Sequence, residues 1–320
     1  MTKLKVGLIG IGSIALNHLE GLSKVEQAQI FALSSRTVTA LEAAAERFGA
    51  ERIFQDYREL LQDDEVEAVW VCTPNRLHYP MAMEVLEAGK HLFLEKPMAD
   101  TLDECRQIHR TAEAKGLSVS LCYLSRYMPT CRAARQAIDD GRIGRPLMFV
   151  GRRMWRRDEF PGWWRDEKHL AIPHFASHSI DLGIWYLGTR GAEVFAMAAS
   201  KKPQFPGESE YILTTRMEND TMMNFEFSMT SRHTQFDHIL IGEEGTLTTL
   251  PNTVMLNGET IFEVDDDTLY SQGFYEEARE FVAAVNEARP SLTSSEEALK
   301  SMEIVEAALR SAETGSSVSI

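Results

Sequence analysis

Residues 5–15 read Lys5-Val6-Gly7-Leu8-Ile9-Gly10-Ile11-Gly12-Ser13-Ile14-Ala15. An apolar strand runs into a glycine turn, and a helical stretch follows. Gly10, Gly12 and Ala15 match the spacing G-x-G-x-x-G/A. The first glycine permits the sharp turn, and the second removes a side chain where a pyrophosphate must approach the backbone. Ala15 is small enough for the new helix to pack on the strand. The first-turn positions Ser13 and Ile14 then present free N–H groups and the positive end of the helix dipole to phosphate oxygens. The stretch reads as the opening of a nucleotide-binding α/β domain, with a purely structural β–α turn as the alternative.

The composition fits that opening. A chain of 320 residues suits one large or two medium domains, and 44% hydrophobic residues support a substantial core. Against 33 basic residues stand 48 acidic ones, for a net charge of −15. That balance argues against nucleic acid or an anionic membrane as the main partner. No apolar run reaches the length of a membrane span, and the N-terminus enters a strand directly without a signal-peptide core. Cys72, Cys105, Cys122 and Cys131 show neither C-x-x-C nor zinc-like spacing, so they read as reduced thiols in a cytoplasmic protein.

Working outward, a second apolar strand over residues 28–33 ends at Ser34-Ser35-Arg36-Thr37. An NAD-binding domain usually places an acid here for the ribose 2′-OH. Ser35 and Arg36 instead offer a hydroxyl and a guanidinium, which suit a 2′-phosphate, so NADP is favoured over NAD. A helix over residues 38–48 stops at Gly49. The strand Ala68-Val69-Trp70-Val71-Cys72 is broken by Thr73-Pro74-Asn75, at the sheet end where ligands bind. A helix carrying His78 follows, then the strand His91-Leu92-Phe93-Leu94, which runs into Glu95-Lys96-Pro97. Strand–helix alternation at this spacing predicts a doubly wound parallel sheet. Lys96 is singled out by its place alone. A lysine at the sheet's C-terminal edge can hydrogen-bond a substrate oxygen and stabilise developing negative charge, or it can be a surface lysine paired with Glu95.

Beyond residue 123 the pattern changes, because strands come in series and crossover helices disappear. The reading is two domains: residues 1–123, a Rossmann domain, and residues 124–320, an α+β domain with a large open-faced, mostly antiparallel sheet. The final helices are expected to pack back on the first domain. Arg152, Arg153, Trp155, Arg156, Arg157, Trp163, Trp164 and Arg165 form a cationic–aromatic patch in an acidic protein. Tryptophan faces stack on sugar rings and arginines bind hydroxyls or carboxylates, so Trp163 and Trp164 read as a substrate wall. Tryptophans filling an interface are the alternative. His174, His178, Asp181 and Trp185 are spaced to share one helical stripe. The His174–His178 spacing also suits a metal, but no metal is assigned.

These landmarks resemble the glucose–fructose oxidoreductase / inositol dehydrogenase family (Gfo/Idh/MocA). The resemblance rests on the Gly10–Ala15 fingerprint, Thr73-Pro74-Asn75 with His78, Ala88-Gly89-Lys90-His91, Glu95-Lys96-Pro97, Arg126-Tyr127 with Pro129, and Gly141-Arg142-Ile143-Gly144. His178 with Asp181 and Ser311-Ala312-Glu313-Thr314-Gly315 complete it. The resemblance covers essentially the whole chain. It implies an NADP- or NAD-dependent dehydrogenase acting on a sugar, polyol or sugar-acid-like substrate. Lys96 is then expected beside nicotinamide and substrate, with a cis bond to Pro97, and Thr73, Pro74, Asn75, His78 and Glu95 at the cofactor. His178 is expected as the acid/base, Asp181 as the group that orients or polarises it, and Arg126 at the substrate. A homodimer or homotetramer through the C-terminal sheet is implied as well. The sequence departs from the family pattern at His174, where an aspartate is common, so His174 is expected to bind substrate or share the proton. Two rival readings use the same fold: a lyase, hydrolase or decarboxylase that recycles a bound nicotinamide, and a nucleotide-sensing protein without catalysis.

Overall fold

The computed structural model describes residues 3–160, 162, 164, 169, 171–201 and 207–320. The chain divides into two compact units, one of Met1–Tyr127 with Tyr270–Leu299, the other of Met128–Leu269 with Lys300–Ile320.

The first unit runs β1 (Leu4–Ile9), α1 (Ser13–Leu22), β2 (Ala28–Ser34), α2 (Val38–Phe48), β3 (Arg52–Phe54), α3 (Tyr57–Leu61), β4 (Ala68–Val71), α4 (His78–Glu87), β5 (His91–Leu94), α5 (Leu102–Lys115) and β6 (Val119–Leu121). The strands form one six-stranded sheet in the order β3-β2-β1-β4-β5-β6, with every pairing parallel. Strand order therefore reverses between β1 and β4, and at such a point the carboxyl ends of the strands open a crevice. The Gly10 turn, the Thr73 loop and the Lys96 turn all leave the sheet at that edge. Burial on both faces explains why β4 reads as an unbroken apolar run and why β1, β2 and β5 are apolar but for a residue or two near their ends. The core continues into Tyr270–Leu299, where Phe281 sets its edge 4.9 Å from Trp70 and 5.7 Å from Phe93, and those two rings stack at 4.8 Å.

The second unit contains α6 (Pro129–Asp139), β7 (Pro146–Arg156), a π-helical turn (Ala171–Ala176), α7 (Ser177–Leu187), β8 (Gly191–Ala199), β9 (Glu210–Met217), β10 (Met222–Ser228), β11 (Thr230–Gly242), β12 (Thr246–Thr249), β13 (Thr253–Leu256), β14 (Glu259–Glu263) and β15 (Val318–Ser319). Helices α8 (Asp266–Asn286) and α9 (Ser295–Thr314) each contribute residues to both units. The nine strands are ordered β14-β13-β12-β11-β7-β10-β9-β8-β15. All pairings are antiparallel except β7 with β10, which lie parallel near the centre. Helix α7 lies close on one face: a Cβ at Gly183 would fall 2.4 Å from Met223 Sδ and 2.9 Å from Phe149 Cδ1. The opposite face carries exposed Phe195, Met197, Ile212 and Met222, and Met197 stands directly across from Ile212 in the β8–β9 register. No helix among the described residues is long and apolar enough to cross a membrane.

Candidate functional site

The first unit offers an open cradle where β1 meets α1. Gly10 has φ +94°, and a Cβ there would lie 2.5 Å from the Cys72 carbonyl oxygen, so no other residue fits the turn. Gly12, the residue before α1, is different, because an added Cβ would meet nothing within 4 Å. Its missing side chain leaves space directly in front of the helix. Ser13 and Ile14 are exposed in the first turn, where backbone N–H groups have no intrahelical acceptor. Ala15 is fully buried against the sheet. An anion of pyrophosphate size and charge fits this cradle. At the end of β2, Ser35 Oγ accepts the Thr37 N–H at 3.3 Å. Arg36 is exposed and makes no ion pair with any described residue. Thr37 holds the N-cap position of α2, but its side chain makes no cap bond.

The loops after β4 and β5 are tied together by buried imidazole. Thr73 and Pro74 are half-buried, and Asn75 is buried. The His78 ring is wholly buried, with Nδ1 2.6 Å from the Pro97 carbonyl oxygen and Nε2 2.8 Å from that of Thr73. A neutral ring donates to one of these and a protonated ring to both. Burial holds its pKa below the ordinary imidazole value, against the pull of the two carbonyls and of Glu95 and Asp100. Both ring nitrogens thus face backbone carbonyls, and His78 joins the Thr73 loop to the Lys96 turn.

The Glu95 side chain ties further parts of the first unit together. It is buried, its Oε1 accepts from His18 Nε2 at 2.9 Å, and its Oε2 accepts the Lys96 backbone N–H at 3.1 Å. Burial alone would raise this carboxyl, but the His18 hydrogen bond and the positive fields of His18, Lys96 and His78 outweigh it and hold the pKa below the ordinary carboxylate value. Lys96 is 8% exposed and is joined to Pro97 by a cis peptide bond, as expected.

The Cys122 sulfur completes a group with His18 and Glu95 whose ligand atoms lie within 4.8 Å of one another. Burial, together with the Glu277 and Glu95 charges, pushes the Cys122 thiol well up, and its S–H donates to Glu277 Oε2 at 3.6 Å. A thiol held protonated beside an already hydrogen-bonded His–Glu pair makes a poor metal triad. Arg126, expected at the substrate, is 1% exposed; it donates to the Leu292 carbonyl at 2.9 Å and pairs with Glu297 at 3.3 Å. Its guanidinium fastens the 290s segment to the first unit, which is a structural role.

In the second unit the predicted histidine stripe divides. His174 sits in the π-helical turn and His178 in the first turn of α7, both half-buried. The wider π turn breaks the regular angular step that places i and i+4 on one face. Asp181 is wholly buried and accepts from Ser301 Oγ at 3.5 Å, so it anchors α7 from within. Trp185 is covered by Arg135, whose guanidinium lies 5.6 Å from the ring. Trp164 is also buried, edge-on to His174 at 5.6 Å and to Phe175 at 5.4 Å, with Arg157 4.4 Å over its ring. It packs behind His174 and presents no open face for a sugar to stack on. Trp163 lies outside the described residues. Of the arginines in the patch, Arg152 pairs with Asp237 and Arg156 with Asp158. Arg153 lies against the rings of Phe236, Trp155 and Phe175, at 4.8, 5.3 and 5.4 Å. Sequence reasoning missed His18, whose signal is a histidine on the buried side of α1, beside Leu19 and Leu22. It also missed His238, half-buried, with Nε2 3.4 Å from Ser179 Oγ.

Residues 4–123 match the model of an oxidoreductase family with an NAD-binding Rossmann fold, and residues 135–320 match that family's C-terminal alpha/beta domain. The chain is 28% identical over 230 residues to an uncharacterized oxidoreductase, YrbE, of Bacillus subtilis, covering 69% of this chain and 66% of that protein. It is 32% identical over 226 residues to a levoglucosan dehydrogenase of Pseudarthrobacter phenanthrenivorans, covering 65% of this chain and 57% of the relative. These alignments span 66% and 57% of the relatives' own lengths, in each case less than two thirds. A solved structure of levoglucosan dehydrogenase in complex with NADH and levoglucosan superposes with a TM-score of 0.91 at 22% identity, covering 100% of both chains.

Proposed function

The chain belongs to the Gfo/Idh/MocA oxidoreductase family, and on that premise we propose that it is a nicotinamide-dependent dehydrogenase of a sugar, polyol or sugar-acid-like alcohol. The observation that carries this reading is the pairing, at one sheet edge, of an open glycine cradle at Gly12 with a buried, braced lysine turn at Lys96. The nicotinamide, when bound, supplies the two-electron acceptor. Gly10, Gly12, Ser13 and Ile14 hold its pyrophosphate, and Thr73, Pro74 and Asn75 border it. The Lys96 ammonium donates to the substrate oxygen and stabilises the negative charge that builds there as the alcohol becomes a carbonyl. The imidazole of His178 takes the hydroxyl proton in oxidation and returns it in reduction, the work of a positioned general base and acid. His174 binds substrate beside it. Ser35 and the exposed Arg36 favour the 2′-phosphorylated cofactor.

The test is a fluorescence titration with NADPH and NADH in parallel, followed by a sugar and polyol screen with the preferred cofactor. Tighter NADPH binding supports the Ser35–Arg36 reading, and a preference for NADH removes it. In the screen, His178→Asn is expected to lower kcat at least about a hundredfold, in line with the loss of a general acid–base, while cofactor affinity holds. Unchanged turnover would take His178 out of the mechanism. The exposed apolar face of β8, β9 and β10 supports a further part of the proposal, that copies of the chain associate through it.

A further inference from the structure

We infer that His18 is a positioning residue for Lys96, acting through the Glu95 carboxylate; the inference rests on the reading of Lys96 as the residue that meets the substrate oxygen. His18 lies on the inner face of α1 and is 2% exposed. Phe93 and Phe274 stand edge-on to its ring at 5.3 and 5.0 Å. An aromatic or aliphatic side chain would fill that space at lower desolvation cost, so the imidazole's value lies in its hydrogen bond. That bond goes to Glu95 Oε1 at 2.9 Å, and the other oxygen of the same carboxylate takes the Lys96 N–H at 3.1 Å. One carboxylate therefore joins the helix to the backbone of the lysine itself. Bonds to an ionised group are short and strong, and they fix geometry as well as energy. From the other side of the turn, His78 faces the Pro97 carbonyl oxygen at 2.6 Å. Lys96, His78 and the thiols of Cys122 and Cys72 also face the carboxylate, and Glu277 stands beside those two thiols.

The consequence is a shared reference frame. Helix α1 begins at the Gly12 cradle, and His18 lies five residues beyond Ser13, roughly 7.5 Å along a rigid helix. The element whose amides face the pyrophosphate thus also sets where Lys96 stands.

The experiment is competitive acetylation of the full-length protein with acetic anhydride, read by mass spectrometry, with exposed Lys24 and Lys115 as internal references. Replacing His18→Phe keeps the aromatic packing and deletes the bond. It is expected to raise Lys96 reactivity on the order of tenfold relative to the references, because a charge-assisted bond no longer holds the turn. His18→Gln restores an N–H toward Glu95 and is expected to return Lys96 close to wild type. Unchanged Lys96 reactivity in His18→Phe, or an equal rise in both variants, would overturn the inference. If His18→Phe does not fold, Glu95→Gln replaces it: a rise at Lys96 supports the bridge, and no change overturns it. Turnover of Lys96→Met separates this from the catalytic reading. Retained turnover removes Lys96 from the chemistry while the labelling still decides whether His18 positions it. Lost turnover with unmoved labelling keeps the chemistry and removes His18. With both in place, His18→Phe lowers kcat and leaves NADH affinity unchanged.

Discussion

Gly10 and Gly12 are two positions apart and answer differently to one added methyl group. At Gly10 it would strike the Cys72 carbonyl in a backbone conformation that L side chains avoid. Gly10→Ala is therefore expected to cost about 2–3 kcal/mol of stability, visible as a lower Tm in the absence of cofactor. At Gly12 the methyl meets only open space. Gly12→Ala is expected to leave Tm unchanged and weaken NADPH or NADH binding at least about tenfold, or 1.4 kcal/mol, because the methyl would occupy the room in front of α1. Equal effects of the two variants on Tm would contradict this division. Both glycines were legible in the sequence, since a turn between strand and helix fixes its own residue types. Arg126 was not. An arginine reads as a surface or ligand-binding residue, and its burial depends on Glu297, 171 positions away. His18 and Glu95 were hidden for the same reason, being separated by 77 positions.

Among the elements, α7 shows what periodicity resolves and what it leaves out. The apolar side of the helix was readable, and Gly183 explains how closely it sits on β7 and β10. Gly183→Ala is expected to cost about 1–3 kcal/mol by forcing Met223 and Phe149 aside, measured by chemical denaturation; no loss would mean the helix can lift freely. The π-helical turn over Ala171–Ala176 was not readable, because one extra residue in a turn leaves composition unchanged. Nor is the full length of strand β11, Thr230–Gly242, marked in the sequence. Its first half carries polar residues on both faces, which blurs the two-residue alternation. His238 on this strand gives a pH signature. Burial, with a smaller push from Arg153 and against the pull of Asp237, lowers its pKa from 6.5 to about 4. The folded ring stays neutral where the unfolded chain binds a proton. Its contribution is therefore complete above pH 6.5 and is lost as pH falls toward 4. A shift of this size is worth at most about 3 kcal/mol, reduced by the ring's partial exposure. His238→Phe is expected to flatten the fall of Tm between those pH values relative to wild type, and a parallel pair of curves would show that the ring titrates normally.

For the molecule as a whole, the change from a parallel sheet to a mostly antiparallel one was legible in the switch from alternating helices and strands to strands in series. The central parallel pairing of β7 with β10 was not, since α7 and two other strands separate them in the chain and nothing local marks which strands will meet. The exposed Met197–Ile212 pair gives a test of self-association. Met197→Lys is expected to shift the protein toward monomer in light scattering without lowering Tm; an unchanged mass would place the contact elsewhere. A last consequence concerns the order in which the chain leaves the ribosome. The first unit takes Tyr270–Leu299 as part of itself, and Phe281 closes over Trp70 and Phe93. Those rings are made early and their cover is made late. The aromatic seam of the first unit therefore stays uncovered while more than a hundred further residues are synthesised, a longer exposure during translation than its regular strand–helix alternation suggests.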